Sequence, residues 1–208
     1  MENNAEPIII NPTGIWLGWM LANSSAVIIA IVAALPVVVN LAYAHQPAWL
    51  SGAVGGAGLG LALGVAQWWL LRRTFSIDAL WIALSIVGGA LGLAIGMHVA
   101  DYQSMVPVGE TISRNRETVL ATGSALNAAT CGLLFGSLLG LGQWIVLRRR
   151  VDSAARWVAA NAIGWTTGLG LAALVGPTGA IGWLLVAGIS NGGLTGWLVQ
   201  HWATTAVP

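Results

Sequence analysis

Long apolar runs separated by short polar turns dominate the chain. Six runs reach the roughly 20 residues that a helix needs to cross a hydrocarbon core about 30 Å thick. The eight arginines and seven acidic residues lie outside these runs or at their very ends. Because lipid cannot satisfy an open backbone, the pattern predicts an all-α integral membrane protein with six transmembrane helices. The predicted spans are approximately 15–43, 49–71, 79–100, 119–147, 154–176 and 179–202.

One stretch of the chain is written twice, at 56–96 and again at 132–172. Each copy holds a ladder of glycines at every fourth position, a Gln-Trp pair, an Arg-Arg pair, a short turn, a tryptophan and a second ladder. The offset is constant at 76: Gln67 pairs with Gln143, Arg72 with Arg148, Trp81 with Trp157 and Gly88 with Gly164. A short turn makes the two helices of each copy antiparallel neighbours, and small residues allow close packing in lipid. We therefore expect a repeated helical hairpin.

The first and last spans together form a fainter third copy of the hairpin. The first span matches the third at an offset of 62, with Trp19 for Trp81 and Asn23 for Ser85, and alanines in place of the ladder glycines: Ala26, Ala30 and Ala34. The last span resembles the fourth at an offset of 53. Terminal repeats are commonly atypical. The sequence thus predicts one domain of three quasi-equivalent hairpins around a pseudo-threefold axis along the membrane normal.

Charge fixes the expected orientation. With 57% hydrophobic and 7% charged residues, the chain is far more apolar than soluble domains, which carry about 25% charged residues. Six arginines flank the turns after the second and fourth spans, against two on the other side, so these turns and both termini should be cytoplasmic. Residues 1–14 contain no arginine, which argues against a cleaved signal peptide.

Nine tryptophans fall near the same cytoplasmic face, where we expect them at the headgroups: Trp16, Trp19, Trp68, Trp69, Trp81, Trp144, Trp157, Trp197 and Trp202.

The Arg-Arg pairs that end the second and fourth spans are candidate contacts for an anionic lipid or a phosphate-bearing ligand. Trp68 and Trp144 each lie one helical turn before an arginine, which allows a cation–π contact. The alternative is an interfacial anchor that only sets depth and topology. The four candidates are Arg72, Arg73, Arg148 and Arg149.

Polar residues one turn inside the cytoplasmic surface form a second candidate site. On odd spans they lie about 6 Å inside the span's tryptophan, and on even spans about 7.5 Å before its arginine, so all share one depth. They are Asn23, Gln67, Ser85, Gln143 and Asn161. We expect lateral hydrogen bonds that hold the hairpins in register; the alternative is a ring of amides lining a narrow neutral pore.

Three further features remain. His45 and His98 lie near the outer face and could ligate a haem iron or the magnesium of a chlorophyll-type pigment, or could simply be surface histidines. The loop 101–117 is the longest polar connection, suited to a partner contact or to a tolerated insertion. No acid, base or metal cluster lies within the spans, and Cys131 is the only cysteine, so we expect no enzyme and no internal disulfide.

The pattern Gly-x-x-x-Gly-x-x-Gln-Trp-x-x-Leu-Arg-Arg occurs at 60–73 and at 136–149, followed by Trp81 or Trp157. With these motifs the chain resembles uncharacterised repeat-bearing polytopic membrane proteins of bacteria, including phototrophic ones. The resemblance covers most of spans two to five and implies a bacterial inner membrane. It brings no known activity or binding residues, and it slightly favours an accessory subunit of a pigment or electron-transfer complex.

Together these features predict a non-catalytic scaffold or accessory subunit of a membrane complex. Its partners would be the lipid bilayer and other membrane-protein subunits or further copies of itself, and not nucleic acid. The first alternative is a small channel or carrier for a neutral or lipid-like solute, with the pseudo-threefold axis as its path. The second is a holder of a pigment or haem through His45 or His98.

Overall fold

A computed structural model describes residues 12–105, 116–175 and 179–205, and within these ranges the chain is helical with no strand. The all-α class is confirmed. The prediction of a partner contact at 101–117 falls largely on 106–115, which lie outside the described residues. The helices are α1 (Pro12–Tyr43), α2 (Ala48–Phe75), α3 (Leu80–Met105), α4 (Arg116–Leu147), α5 (Ala155–Val175) and α6 (Gly179–Thr205).

Four of these helices are long and apolar enough to cross a membrane. The qualifying segments are Thr13–Tyr43, Ala48–Phe75, Leu80–Asp101 and Ala125–Leu147. Large aliphatic side chains also cover the outer surface of the bundle, including Leu21, Val32 and Leu126, which are each more than 60% exposed. Contiguous exposed apolar surface of this kind is unfavourable in water, and it is the surface that lipid tails require. The chain therefore has the properties of a membrane protein.

The six helices form a closed ring. Each helix packs against its neighbours in the chain, and α1 packs against α6. The turn between α2 and α3 is short because Ser76 adopts a left-handed conformation, with φ of 51°, and ends α2. The backbone N–H of Leu80 then donates to Asp78 Oδ1 at 3.0 Å, which satisfies one free amide at the start of α3.

Glycines bring neighbouring helices into backbone contact. A Cβ atom at Gly56 would overlap the carbonyl of Gly89, and one at Gly60 would overlap that of Ser85, so α2 and α3 meet without intervening side chains. The glycines of α4 approach α5 in the same way, those of α3 and α5 approach α4 and α6, and those of α6 approach α1 less closely. Such contacts are typical of helices that associate in lipid.

Two clusters of buried side chains fill the ring. One lies near the arginine-bearing ends of α2 and α4 and includes Trp19, Trp81, Trp157 and Trp202. The other lies further along the bundle and contains Val27, Leu59, Leu63, Phe135, Leu139 and Trp165. In this second cluster Phe135 meets the ring of Trp165 edge to face, with centroids 4.7 Å apart. The interior is thus packed with large side chains on both sides of the polar layer described below.

The tryptophans correct one expectation. Trp19, Trp81, Trp157 and Trp202 are buried and pack on one another, with the ring centroid of Trp157 5.7 to 6.0 Å from the other three centroids, so they face the interior of the bundle and not its outer surface. On α1, α3 and α5 the tryptophan lies one turn before a buried polar residue and shares its inward face. Trp69 and Trp197 remain about half exposed, as an interfacial position requires.

Candidate functional site

A layer of fully buried polar side chains crosses the bundle. The five residues selected from the sequence all have 0% exposure: Asn23, Gln67, Ser85, Gln143 and Asn161, contributed by α1 to α5 in turn. Helix α6 adds Asn191 and Thr195, also fully buried, which the sequence analysis did not select. The signal that could have found them is the rule of one inward polar residue per helix; the shifted glycine register of α6 obscured it.

Hydrogen bonds join four helices across this layer. Gln143 is the centre: its Nε2 donates to Gln67 Oε1 at 2.7 Å and to Ser85 Oγ at 2.9 Å. Gln67 in turn donates through Nε2 to Asn23 Oδ1 at 2.8 Å. The chain of bonds therefore runs from α1 through α2 to α4 and α3, and it includes a direct link between two helices that are not neighbours in the ring.

The polar residues of the odd helices are held by their own backbone. Asn23 Nδ2 donates to the carbonyl of Trp19 at 2.8 Å, Ser85 Oγ to that of Trp81 at 2.8 Å, and Asn161 Nδ2 to that of Trp157 at 3.0 Å. Each bond reaches back four residues, a common way for short polar side chains to be satisfied within a helix. For Asn23 the bond leaves the carbonyl oxygen free to accept from Gln67.

Tryptophan indoles seal the layer on the arginine side. Trp157 Nε1 donates to Gln143 Oε1 at 2.8 Å, and Trp19 Nε1 donates to Thr195 Oγ1 at 2.9 Å. On the other side Val27, Leu63 and Leu139 lie one turn beyond the polar residues of their helices and have 0% exposure. The layer is consequently closed by indoles on one side and aliphatic side chains on the other.

The network is less complete near α5 and α6. Five buried atoms in the described residues have no hydrogen-bond partner: Trp81 Nε1, Asn161 Oδ1, Trp165 Nε1, Asn191 Nδ2 and Asn191 Oδ1. An unpaired buried polar group costs about 1–3 kcal/mol. The α5–α6 side is therefore the least satisfied part of the layer, while Gln143 and Gln67 are its best-bonded members.

The arginine candidates lie at the exposed ends of α2 and α4. The guanidinium carbon of Arg72 is 4.5 Å from the ring centroid of Trp68, and that of Arg73 is 4.4 Å from Trp69. On α4 Arg148 is 4.8 Å from Trp144. Such contacts contribute about 0.5–1 kcal/mol when exposed, and they orient the cation while leaving its N–H groups free to bind an anion.

The histidines lie apart from both features. His45 is exposed in the turn between α1 and α2 with φ of 53°, and His98 is exposed on α3. Within the part of the chain that the structure describes, no three histidine, cysteine or acidic side chains come together to hold a metal. Each histidine therefore offers one exposed imidazole to a cofactor.

Comparison with known proteins gives no match to this chain among family models, curated proteins or solved structures.

Proposed function

We propose that the protein is a non-catalytic scaffold or accessory subunit that lies in a bacterial inner membrane. The observation that carries this proposal is the sealed polar layer. Gln67, Gln143 and Asn23 are fully buried, and their side chains hydrogen-bond to one another and to neighbouring protein groups. Polar groups that are used to join helices define one arrangement of the bundle, and every side-chain nitrogen and oxygen of these three residues has at least one partner within the protein.

The proposal includes six transmembrane helices arranged as three quasi-equivalent hairpins. It is supported by helix contacts that repeat with the sequence: Gly60 lies against Ser85 as Gly136 lies against Asn161, each member shifted by 76 residues. Helix α5 has 21 residues, a length of about 31 Å at 1.5 Å per residue. Since α5 and α6 complete the ring with the four helices that are long and apolar enough to cross a membrane, we assign them as spans too.

The hydrogen bond between Gln67 and Gln143 supports the proposed orientation. Each glutamine lies five residues before an arginine pair, so their contact puts Arg72 and Arg148 at the same end of the bundle. By the excess of arginine there, this end faces the cytoplasm. Each terminus is separated from this end by an even number of spans in total, so both termini lie on the same side of the membrane.

A channel or carrier is the second candidate, and the sealed layer ranks it lower. Transport along the axis would require Gln143 to release its bonds to Gln67, Ser85 and Trp157 together. Flux of a small neutral solute such as glycerol into proteoliposomes distinguishes the two. The scaffold proposal expects the rate of protein-free vesicles, and a rate that rises with protein content would favour the channel.

Co-purification tests the scaffold role itself. Affinity isolation of the full chain from its native membranes in a mild detergent should recover another membrane protein in fixed ratio, or a defined oligomer of this chain. A visible absorption spectrum of the same sample reports any pigment or haem. Recovery of a lone monomer under several mild detergents would contradict the subunit proposal, and stable visible bands would favour the cofactor holder.

A further inference from the structure

We propose that the groove between α1 and α2 binds an anionic phospholipid, with an acyl chain in the groove and the phosphate paired with Arg72 and Arg73. The inference rests on the membrane placement proposed above and adds a specific ligand to it. It does not depend on the scaffold role. The evidence is the shape of the groove, the reason for its position, and the cations at its end.

The groove has a volume of about 830 Å³ and an almost entirely apolar lining. Along α1 it extends from Gly18 to Ala33, which at 1.5 Å per residue is about 22 Å. One leaflet contributes about half of a 30 Å hydrocarbon core, so an extended acyl chain fits within this length. Ile29 and Leu61 on its walls are about half or more exposed, and the groove therefore opens towards lipid.

The groove lies where α1 carries alanine at the positions of two ladder glycines of α3. On α3 a Cβ atom at Gly88 would lie 2.5 Å from the carbonyl oxygen of Leu138, and one at Gly92 would lie 2.6 Å from Phe135 Cα, so α3 and α4 are in backbone contact. The positions of α1 that align with these glycines, 62 residues earlier, are Ala26 and Ala30, which line the groove. Alanine at these positions precludes the backbone contact that Gly88 and Gly92 make, and the groove lies along this seam between α1 and α2.

Two cations lie beside the cytoplasmic end of the groove. Trp68 and Trp69 line it, and the guanidinium groups of Arg72 and Arg73 lie over these two rings at 4.5 and 4.4 Å. The indole of Trp68 is itself fixed, since Nε1 donates to the carbonyl of Ile77 at 3.1 Å. A headgroup phosphate accepts well from such oriented guanidinium groups, so charge and hydrocarbon are matched along one ligand.

The second arginine pair provides an internal contrast. Arg148 and Arg149 occupy the same place at the end of α4, but the residue aligned with Trp69 is Ile145, and only Arg148 has an indole beneath it. The neighbouring seam, between α3 and α4, is closed by glycine contacts. The two pairs therefore carry the same charge and differ in the groove beside them.

The test measures lipid binding to the full-length protein in a nonionic detergent by native mass spectrometry. Phosphatidylglycerol should bind one molecule per chain at saturation, more tightly than phosphatidylcholine. The double change Arg72→Gln and Arg73→Gln should weaken this binding about thirtyfold, given about 1 kcal/mol for each arginine near an anionic lipid. The matched control, Arg148→Gln with Arg149→Gln, should leave the affinity within about twofold.

A second pair of variants fills the groove without touching charge. Ser25→Phe with Ala33→Phe places two rings at exposed positions of the lining and should abolish the bound lipid. The control is Val87→Phe with Ile95→Phe, at the aligned exposed positions of α3. This control variant should retain the bound lipid. If the groove variant unfolds, as judged by its melting temperature, the two arginine pairs decide the test.

Several results would overturn the inference. If both double arginine variants lose the same affinity for phosphatidylglycerol, binding depends on charge alone. If inorganic phosphate at equal concentration competes with the lipid, the site binds an anion without an acyl chain. Lipid binding unchanged in Ser25→Phe with Ala33→Phe would exclude the groove, and conversion of a dimer to a monomer by the same variant would place a second copy there. Recovery of the chain in the soluble fraction would instead refute the membrane placement.

Discussion

Gln143 makes more hydrogen bonds to other helices than any other side chain of the buried layer. Its amide nitrogen donates to Gln67 and Ser85, and its oxygen accepts from Trp157. One carboxamide thus joins α4 to three helices. A buried group with several partners is costly to remove, because the loss leaves the partners unpaired.

Replacing Gln143 with leucine should therefore destabilise the protein by about 2 kcal/mol, since Gln67 Oε1 and Trp157 Nε1 lose their partners. Unfolding of the purified protein in mixed detergent micelles, followed by tryptophan fluorescence, measures the change. The matched control is Asn191→Leu, at a residue whose side-chain atoms have no partner; it should be neutral or stabilising. Similar losses in the two variants would contradict the bonding pattern described here.

The residue spacing predicted that the polar side chains lie at one level along the bundle, but it did not predict which of them hydrogen-bond to one another. Counting residues from each tryptophan or arginine was enough to put Asn23 and Gln67 at one level. Which amide meets which oxygen depends on side-chain rotamers, and sequence spacing carries no information about these. Hence neither the link from Gln143 to Gln67 nor the unpaired indole of Trp81 could be anticipated.

At the scale of the helix, glycine position decides how closely two elements approach. Gly60 and Gly136 should not tolerate even alanine, because a Cβ atom there would overlap a backbone carbonyl of the next helix. We expect Gly60→Ala and Gly136→Ala each to cost about 1–3 kcal/mol, as overpacking does. The loss of stability should appear as a lower melting temperature of each variant in detergent.

Two other glycines serve as controls for that measurement. A Cβ atom at Gly18 or Gly193 would meet nothing within 4 Å, and alanine favours a helix by about 1 kcal/mol over glycine. Gly18→Ala and Gly193→Ala should consequently leave the melting temperature unchanged or raise it. Equal destabilisation at all four positions would show that close packing is not what the glycines provide.

Hydropathy and turn residues were sufficient to predict that the described residues are helical and that some of the helices are long and apolar enough to cross a membrane. The inward direction of Trp19, Trp81 and Trp157 was missed, because a tryptophan near a helix end suits both a headgroup layer and a core. Their spacing of four residues from Asn23, Ser85 and Asn161 was the available signal. If the polar residues are assigned to the inward face, the tryptophans four residues earlier are predicted to share that face.

For the whole molecule, the arrangement of the two arginine ends is the decisive topological prediction. With Cys131 first replaced by alanine, single cysteines at Arg72 and Arg148 should both react with a membrane-impermeant maleimide in inverted inner-membrane vesicles and neither in intact spheroplasts. The reason is that the Gln67–Gln143 bond brings both arginine pairs to one end of the ring. Labelling from opposite sides would be incompatible with three parallel hairpins.

Closure of the ring by α1 and α6 has a consequence for biogenesis. The indole of Trp16 donates to the carbonyl of Gly193, and the two residues are separated by 177 positions in sequence. At a synthesis rate of about 5–20 residues per second, α1 stays in the bilayer for roughly 10 to 35 seconds before its second neighbour is made. During that interval the indole N–H groups of Trp16 and Trp19 lack the acceptors on α6 that they reach in the finished bundle, so docking of α6 against α1 should be a late step of assembly.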